Sequence, residues 1–114
     1  KKWEGRMEIY NLMKAGLDAT ALRSKVIANN IANINTPNYK RKYVSFEDTL
    51  NESVNGKPKI EVKTDENSKM RVDGNNIDLE SEKVNQAATT LEFNALVTLT
   101  NIKLGMAKNV IAGR

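Results

Sequence analysis

The chain contains no cysteine and no histidine. Disulfides, thiolate or imidazole metal sites and the usual nucleophile–base pairs of hydrolases are therefore excluded. Catalysis would have to depend on carboxylates, lysines or tyrosines, and no spacing among them matches a paired-carboxylate site, a calcium loop or a phosphate-binding loop. We predict that the chain is not an enzyme and has no catalytic residue, metal ligand, cofactor or small-molecule substrate.

Long hydrophobic runs are also lacking. No window approaches the roughly 18 consecutive apolar residues of a membrane span, and the first ten residues lack the apolar core of a secretory signal. We expect no membrane span and, if the protein leaves the cytoplasm, no Sec-type peptide. With 114 residues and an apolar content of 39%, the chain has the size of one domain with a modest core.

The net charge is only +4, but acidic and basic side chains are distributed unevenly along the chain. Residues 1–44 carry nine basic and three acidic side chains, residues 45–82 carry five and ten, and residues 83–114 carry four and one. Both ends are therefore basic and the middle is acidic. This distribution suggests that the basic ends of one copy face the acidic middle of another.

Two stretches have apolar residues at helical spacing. The first runs from about Glu8 to the region of Asn33 to Asn35, and the second begins near Asp78 or Ser81, either of which could be the N-cap, and continues to about Ile111. The pattern predicts a mainly α fold in which the two terminal helices pair as an antiparallel hairpin or coiled coil. The residues predicted for helix pairing and assembly are Met13, Leu17, Ile27, Ile31, Leu91, Leu96, Leu99, Ile102 and Met106.

The apolar flanks of the two helices are wider than one helix pair can bury, which leaves stripes for a partner or for further copies. Between the helices, Lys59–Lys63 and Lys69–Val72 alternate in polarity and predict a β-hairpin with a four-residue connection. Ser45–Leu50 is predicted to form a short helical turn that buries Phe46 and Leu50. The expected segments are an N-terminal helix at 1–35, a turn, loop and hairpin at 36–77, and a C-terminal helix at 78–114, within one domain.

The segment Ala28–Lys40 is the most informative part of the chain. Asparagine is a poor helix former because its amide competes for backbone groups, so four asparagines between positions 29 and 35 require another role, and side-chain hydrogen bonding is the obvious one. Pro37 cannot continue the helix and suits the second position of a turn, where Asn38 would follow with a positive φ. The residues predicted for the turn and for contacts between subunits are Asn29, Asn30, Asn33, Thr36, Pro37, Asn38 and Tyr39.

The stretch Leu22–Lys40 closely resembles the N-terminal motif of the bacterial flagellar axial proteins, the rod and hook family, whose usual form is ANNIAN, two variable residues, then TPGYK. Ser45–Leu50 resembles the continuation found in proximal rod subunits, and Phe93–Val97 with the helix that follows resembles the C-terminal region of the FlgB type. Asn38 departs from the family's glycine, but asparagine is the residue that best tolerates φ > 0 after glycine.

The resemblance implies a structural subunit of the proximal rod that polymerises through its terminal helices and transmits torque. It further implies helical stacking around a central channel, export through the flagellar type III apparatus, and a location in the basal body. The implied partners are other copies of the chain, other rod proteins and the MS-ring or adaptor components. Two alternatives stay open: a C-type proximal rod subunit of the same family, and a nucleic-acid-binding helical hairpin that uses Lys40, Arg41 and Lys42.

Overall fold

The computed structural model describes residues 2–47 and 59–113, with side chains from Glu8 onward. The molecule is elongated, with dimensions of 64 × 27 × 14 Å. Its elements, in chain order, are helix α1 (Lys2–Ala32), strand β1 (Lys42–Ser45), strand β2 (Glu61–Thr64) and helix α2 (Leu79–Ile111). The predicted mainly α fold with two long helices and a small β segment is confirmed.

The two helices run antiparallel along their whole length. Near the start of α1, the Tyr10 hydroxyl donates to the Lys103 carbonyl at 3.3 Å. Towards the end of α1, the contacts are to progressively earlier residues of α2, and the Asn30 amide finally donates to Glu82 at 3.2 Å. Residue numbers therefore fall on α2 as they rise on α1, which defines an antiparallel helical hairpin.

Helix α1 is longer than predicted at its start and slightly shorter at its end. It begins at Lys2 instead of Glu8, because an isolated glycine such as Gly5 is tolerated in a helix and no proline interrupts these residues. It ends at Ala32, and the following residues form turns, as expected from the asparagines and Pro37.

Helix α2 has the boundaries that the sequence predicts. The Asp78 carboxylate accepts from the backbone N–H groups of Glu80 and Ser81, so Asp78 is the N-cap, and the helix ends at Ile111. Gly113 has φ = 73°, the left-handed conformation that is common after a helix C-terminus.

The predicted hairpin between Lys59–Lys63 and Lys69–Val72 is wrong. Strand β2 instead pairs antiparallel with β1, and Val44 lies opposite Val62. The sequence Lys42–Ser45 contains Tyr43 and Val44, which favour strands. However, it overlaps the basic run Lys40–Lys42, which suggested an exposed surface.

The chain turns away from β2 immediately after the strand. The Asp65 carboxylate accepts from the backbone N–H groups of Asn67 and Ser68, each at 3.0 Å, and this local turn ends the strand. The backbone of Arg71 is then engaged within a second turn, where it contacts Gly74 and Asn75. The second alternating segment, Lys69–Val72, therefore lies among turns and does not form a strand.

The buried core lies at the sheet end of the hairpin. It combines the second half of α1 with β1, the residue after β1 and the residue before the N-cap of α2. Its apolar members are Ala19, Val26, Ile27, Val44, Phe46 and Ile77. Phe46 is buried as predicted, whereas Ser45 belongs to β1 and not to a helical turn. Leu50 lies outside the described residues.

Gly74 is the position where a side chain would be least tolerated. Its φ is 81°, and a Cβ added there would lie 2.3 Å from Oδ1 of Asn38. We expect Gly74→Ala to lower the free energy of unfolding by more than about 1 kcal/mol, measured by denaturant titration. The control is Gly105→Ala within α2, where an added Cβ would meet no atom within 4 Å apart from its chain neighbours and the backbone of its own helix. We expect Gly105→Ala to stabilise the chain by about 0.5–1 kcal/mol. A Gly74→Ala protein as stable as the parent would contradict the strained turn.

Candidate functional site

Polar side chains join the two helices to the sheet at the end of the hairpin where the core lies. We call this cluster the polar junction; its members are Asn30, Arg41, Asp65, Asn76 and Glu82. Each helix contributes a member, and each strand is directly adjacent to one, since Arg41 precedes β1 and Asp65 follows β2. The junction therefore determines how the helices and the sheet are placed relative to each other.

Glu82 is the most deeply buried charged residue among the described residues, at 1% exposure. Its Oε1 accepts from Nε of Arg41 at 2.9 Å, and its Oε2 accepts from Nδ2 of Asn30 at 3.2 Å. A carboxylate removed from water costs several kcal/mol unless charged and hydrogen-bonding partners compensate for the lost hydration. The two partners come from different parts of the chain, so Glu82 connects α2 to both α1 and the segment before β1.

The side-chain amide of Asn30 makes the hydrogen bonds at the free edge of β1 that a third strand would otherwise make. Its Nδ2 donates to the Lys42 carbonyl at 2.8 Å, and its Oδ1 accepts from the Lys42 N–H at 3.0 Å. Both backbone groups of Lys42 that point away from β2 are thereby satisfied. This explains an asparagine at a fully buried helical position, because only an amide offers a donor and an acceptor with this geometry.

Asn76 extends the sheet by one rung. Its Oδ1 accepts from the Arg41 N–H at 2.6 Å, and its Nδ2 donates to the Asp65 carbonyl at 2.7 Å. The amide thus bridges the two backbones where the ladder between β1 and β2 ends. A side-chain bridge of this kind connects the residues before α2 to the sheet.

Charges within the junction alter each other's protonation. Burial opposes the charge of Arg41, but its hydrogen bonds to Glu82 and Asp65 outweigh burial and raise the pKa of the guanidinium. Hydrogen bonding by Ser68, together with Arg41 at 3.0 Å, lowers the pKa of Asp65 to about 2. Both side chains are therefore charged at neutral pH.

The turn after α1 has the features of a type II turn. The Tyr39 N–H donates to the Thr36 carbonyl at 3.3 Å, Pro37 lies between them, and Asn38 has φ = 62°. The Asn38 N–H also donates to the Asp73 carbonyl at 2.8 Å. The positive φ predicted for Asn38 is confirmed.

Asn75 binds the turn that follows α1, from a distance of about forty residues along the chain. Its Nδ2 lies 2.9, 3.2 and 2.9 Å from the carbonyl oxygens of Asn33, Ile34 and Thr36, respectively. These carbonyls lie in the turn beyond Ala32, where no regular helix or sheet ladder pairs them, so this buried amide supplies a donor that they need. No local pattern in the sequence indicates these distant contacts of Asn75, or those of Asn76.

The predicted helix-pairing residues fall into two groups. Those of α1 lie towards α2: Ile27 is buried, and Met13, Leu17 and Ile31 are half-buried. On α2 only Leu96 is half-buried, close to Gly16 of α1. The other four are more than half exposed, so they do not pair with α1 within one chain: Leu91, Leu99, Ile102 and Met106.

The predicted residues of α2 differ from the observed ones because two faces of this helix are candidates for contact with α1. The face that contacts α1 carries residues seven positions apart, namely Glu82, Thr89 and Leu96. Two of these are polar, so hydrophobic periodicity favours the other face. A role for the four exposed residues in assembly stays a prediction.

The predicted turn and contact residues are also divided. Asn30 is buried, and Asn33 and Tyr39 are half-buried. The exposed members are Asn29, Thr36, Pro37 and Asn38. Contacts of these residues with neighbouring subunits stay a prediction.

Two members of the basic run Lys40–Lys42 are engaged within the chain. The Lys40 ammonium donates to the Gly74 carbonyl, and Arg41 pairs with Glu82 and Asp65. A nucleic-acid site needs cations that are available to phosphates. The alternative of a nucleic-acid-binding hairpin is therefore not supported by this structure.

Comparison with known proteins supports one family. A family model described as "Flagella basal body rod protein" matches residues 9–40, which include α1 from Ile9 onward and the turn. The flagellar basal body rod protein FlgB of Bacillus subtilis (strain 168) is 35% identical over an alignment that covers 92% of this chain and 93% of that protein. The chain belongs to the flagellar basal-body rod protein family, FlgB type.

Further relatives agree with this assignment. The rod protein FlgB of Borrelia hermsii is 33% identical over 82% of this chain and 86% of that protein. The rod protein FlgG of a Buchnera aphidicola strain is 46% identical over 38% of this chain but only 16% of that protein. Similarity over nearly the full length is thus seen with FlgB-type rod proteins.

The buried pair of Glu82 and Arg41 gives a direct stability prediction. We expect Glu82→Gln to lower the free energy of unfolding by about 3 kcal/mol, because it removes one charge of a buried pair and leaves the other only partly compensated. The matched control is Glu80→Gln on the exposed side of the same helix turn, where about 0.5 kcal/mol or less is expected. Equal effects of the two substitutions in urea denaturation would contradict the proposed importance of the junction.

Asp65 predicts a specific loss of stability in acid. Its pKa of about 2 in the folded chain lies below the value of about 3.9 in an unfolded chain. Its contribution is therefore present at neutral pH and is lost as the pH falls from about 5 towards 2. We expect the stability of Asp65→Asn to depend less steeply on pH over this range than that of the parent, and Ser68→Ala to be intermediate. Superimposable curves for the parent and Asp65→Asn would refute this contribution.

Proposed function

We propose that this chain is a structural subunit of the bacterial flagellar basal-body rod, of the proximal FlgB-like kind, and that it has no catalytic role. The observation that carries the proposal is the similarity to FlgB rod proteins over nine-tenths of the chain. The geometry agrees with such a role, because an extended helical hairpin offers long surfaces for packing.

The exposed apolar surface supports assembly through the helices. Large side chains on α2 that are more than half exposed include Leu91, Leu99, Ile102 and Met106. Monomeric soluble proteins rarely expose long contiguous apolar stripes, and such stripes commonly mark contact surfaces. In the rod these side chains would pack against helices of neighbouring subunits.

The polar junction supports the transmission of torque. A drive shaft requires subunits that do not bend where their elements meet, and the junction fixes both helices to the sheet through buried hydrogen bonds. Buried polar networks that are fully paired define one arrangement, because any other would leave charged groups unpaired. The turn at Thr36–Tyr39, held by Asn38 and Asp73, would then present a fixed surface to the next subunit.

The proposed partners are other copies of this chain and other rod proteins, and the MS-ring and adaptor components at the base of the rod. The proposed location is the flagellar basal body, reached by type III export. Within the described part of the chain, neither helix is apolar enough over a sufficient length to cross a membrane.

Charged substitutions in the helical surfaces test the assembly role. We expect Ile31→Asp or Leu99→Asp to abolish rod assembly, because a carboxylate in a packed seam costs several kcal/mol, comparable with the stability of a small domain. The measurement is swimming motility, together with basal-body isolation, in a strain that carries only the variant. The control is Asn94→Asp, an exposed position that is not part of the apolar stripe. Normal motility with either variant would contradict the proposal.

A further inference from the structure

The outer face of α2 carries a continuous apolar stripe that we call the outer seam. It lies opposite the face of α2 that contacts α1 through Glu82 and Leu96. Its members follow spacings of four, three and four residues, an 11-residue repeat that keeps a stripe nearly straight along a helix. They are all exposed: Val84, Ala88, Leu91, Ala95, Leu99, Ile102, Met106 and Val110.

The outer seam of one copy is complementary to the outer seam of a second copy that runs antiparallel to it. When two copies of the seam are placed antiparallel and centred near position 97, Ala88 meets Met106 of the other copy and Ala95 meets Leu99. A small residue thus faces a large one in these layers, which is the arrangement that fills the space between two helices. The remaining layers pair side chains of similar size: Val84 with Val110, and Leu91 with Ile102.

Charged residues beside the seam are also complementary when the two copies are antiparallel. Glu92 and Lys103 lie on the same flank of the seam, and antiparallel pairing about position 97 places Glu92 of each copy beside Lys103 of the other. Residues on the same flank face each other in antiparallel helix pairs, so two ion pairs form across the two-fold axis. Glu92 is half exposed and Arg23 contacts only one of its oxygens, at 3.4 Å, which leaves it accessible.

We propose that two copies of this chain associate through their outer seams as an antiparallel, two-fold symmetric dimer. The regular spacing of the seam permits more than one antiparallel register, and the pairing of Glu92 with Lys103 selects the one centred near position 97. The partner is a second copy of this chain because the complementarity is between the seam and itself.

The size of the seam indicates a weak, reversible dimer. From Val84 to Val110 the seam is about 39 Å long, and with the width of one helix, about 10 Å, it offers about 400 Å² per copy. Specific stable interfaces bury about 800 Å² per partner, so this contact belongs with transient ones. The dimer should dissociate on dilution.

A two-fold dimer is closed and cannot extend into a polymer. It would cover the same apolar side chains that the rod is proposed to use, and so would hold subunits in a protected form before assembly. This inference goes beyond the proposed function and is tested separately, because dimerisation is measured on the purified chain in solution whereas rod function is measured by motility.

Sedimentation equilibrium of the purified chain, from low to high micromolar concentration, tests association. We expect a monomer–dimer equilibrium without higher species. Glu92→Lys and Lys103→Glu should each weaken dimerisation about five- to tenfold, since each creates two like-charged pairs, and the double variant should restore it. The control is Lys108→Glu, the same charge change away from the seam, which should leave the equilibrium unchanged. Circular dichroism checks that each variant keeps its helices.

Distances between spin labels test the orientation. The chain has no cysteine, so Asn94→Cys and Asn109→Cys each give a single labelling site. Antiparallel pairing about position 97 places the two labels at 94 about 9 Å apart along the axis, and the two labels at 109 about 36 Å apart. A chain that stays monomeric, equal distances at both sites, or a double variant that dimerises no better than the single variants would each overturn the proposal.

Discussion

The arrangement of this molecule depends on the buried carboxylate of Glu82. It is placed in the first turns of α2, and its partners Arg41 and Asn30 are 41 and 52 positions away along the chain. A charge in this environment is stable only when both partners are in place, because isolated burial of a carboxylate is strongly unfavourable. The pairing of the helices and the position of the sheet are therefore coupled through one side chain.

The two-stranded sheet illustrates this coupling. Two short strands are marginally stable in water by themselves. Here Asn30 occupies the free edge of β1, Asn76 adds a rung at the end of the ladder, and Arg41 connects β1 to Asp65 after β2. Side chains from both helical regions thus provide the hydrogen bonds that further strands would supply in a larger sheet.

The two ends of the hairpin differ in how much they bury. The sheet end contains the core and the polar junction, whereas the far half of α2 exposes large apolar side chains, for example Ile102 and Met106. Local stability follows burial and contact density, so the far end should open more readily than the sheet end. A subunit with one fixed end and one helical end that exposes apolar side chains suits the proposed assembly, in which neighbouring subunits would cover those side chains. Neighbouring asparagines of the family motif differ in the same way at the sheet end: Asn30 is buried within the chain, whereas Asn29 is exposed.

Features that depend on residues close together in the chain could be predicted from the sequence. The two helices, the Asp78 cap, the end of α1 before Pro37 and the positive φ of Asn38 all follow from local preferences, and the motif at Leu22–Lys40 indicates the family.

The pairing of Lys42–Ser45 with Glu61–Thr64 and the choice of the inner face of α2 could not be predicted, because both depend on contacts made in the folded chain. Strand pairing depends on residues that are far apart in the chain, and the inner face of α2 contains Glu82 and Thr89, which hydrophobic periodicity places outside. Burial of Glu82 becomes favourable only when Arg41 and Asn30 reach it, and that meeting is a property of the folded chain.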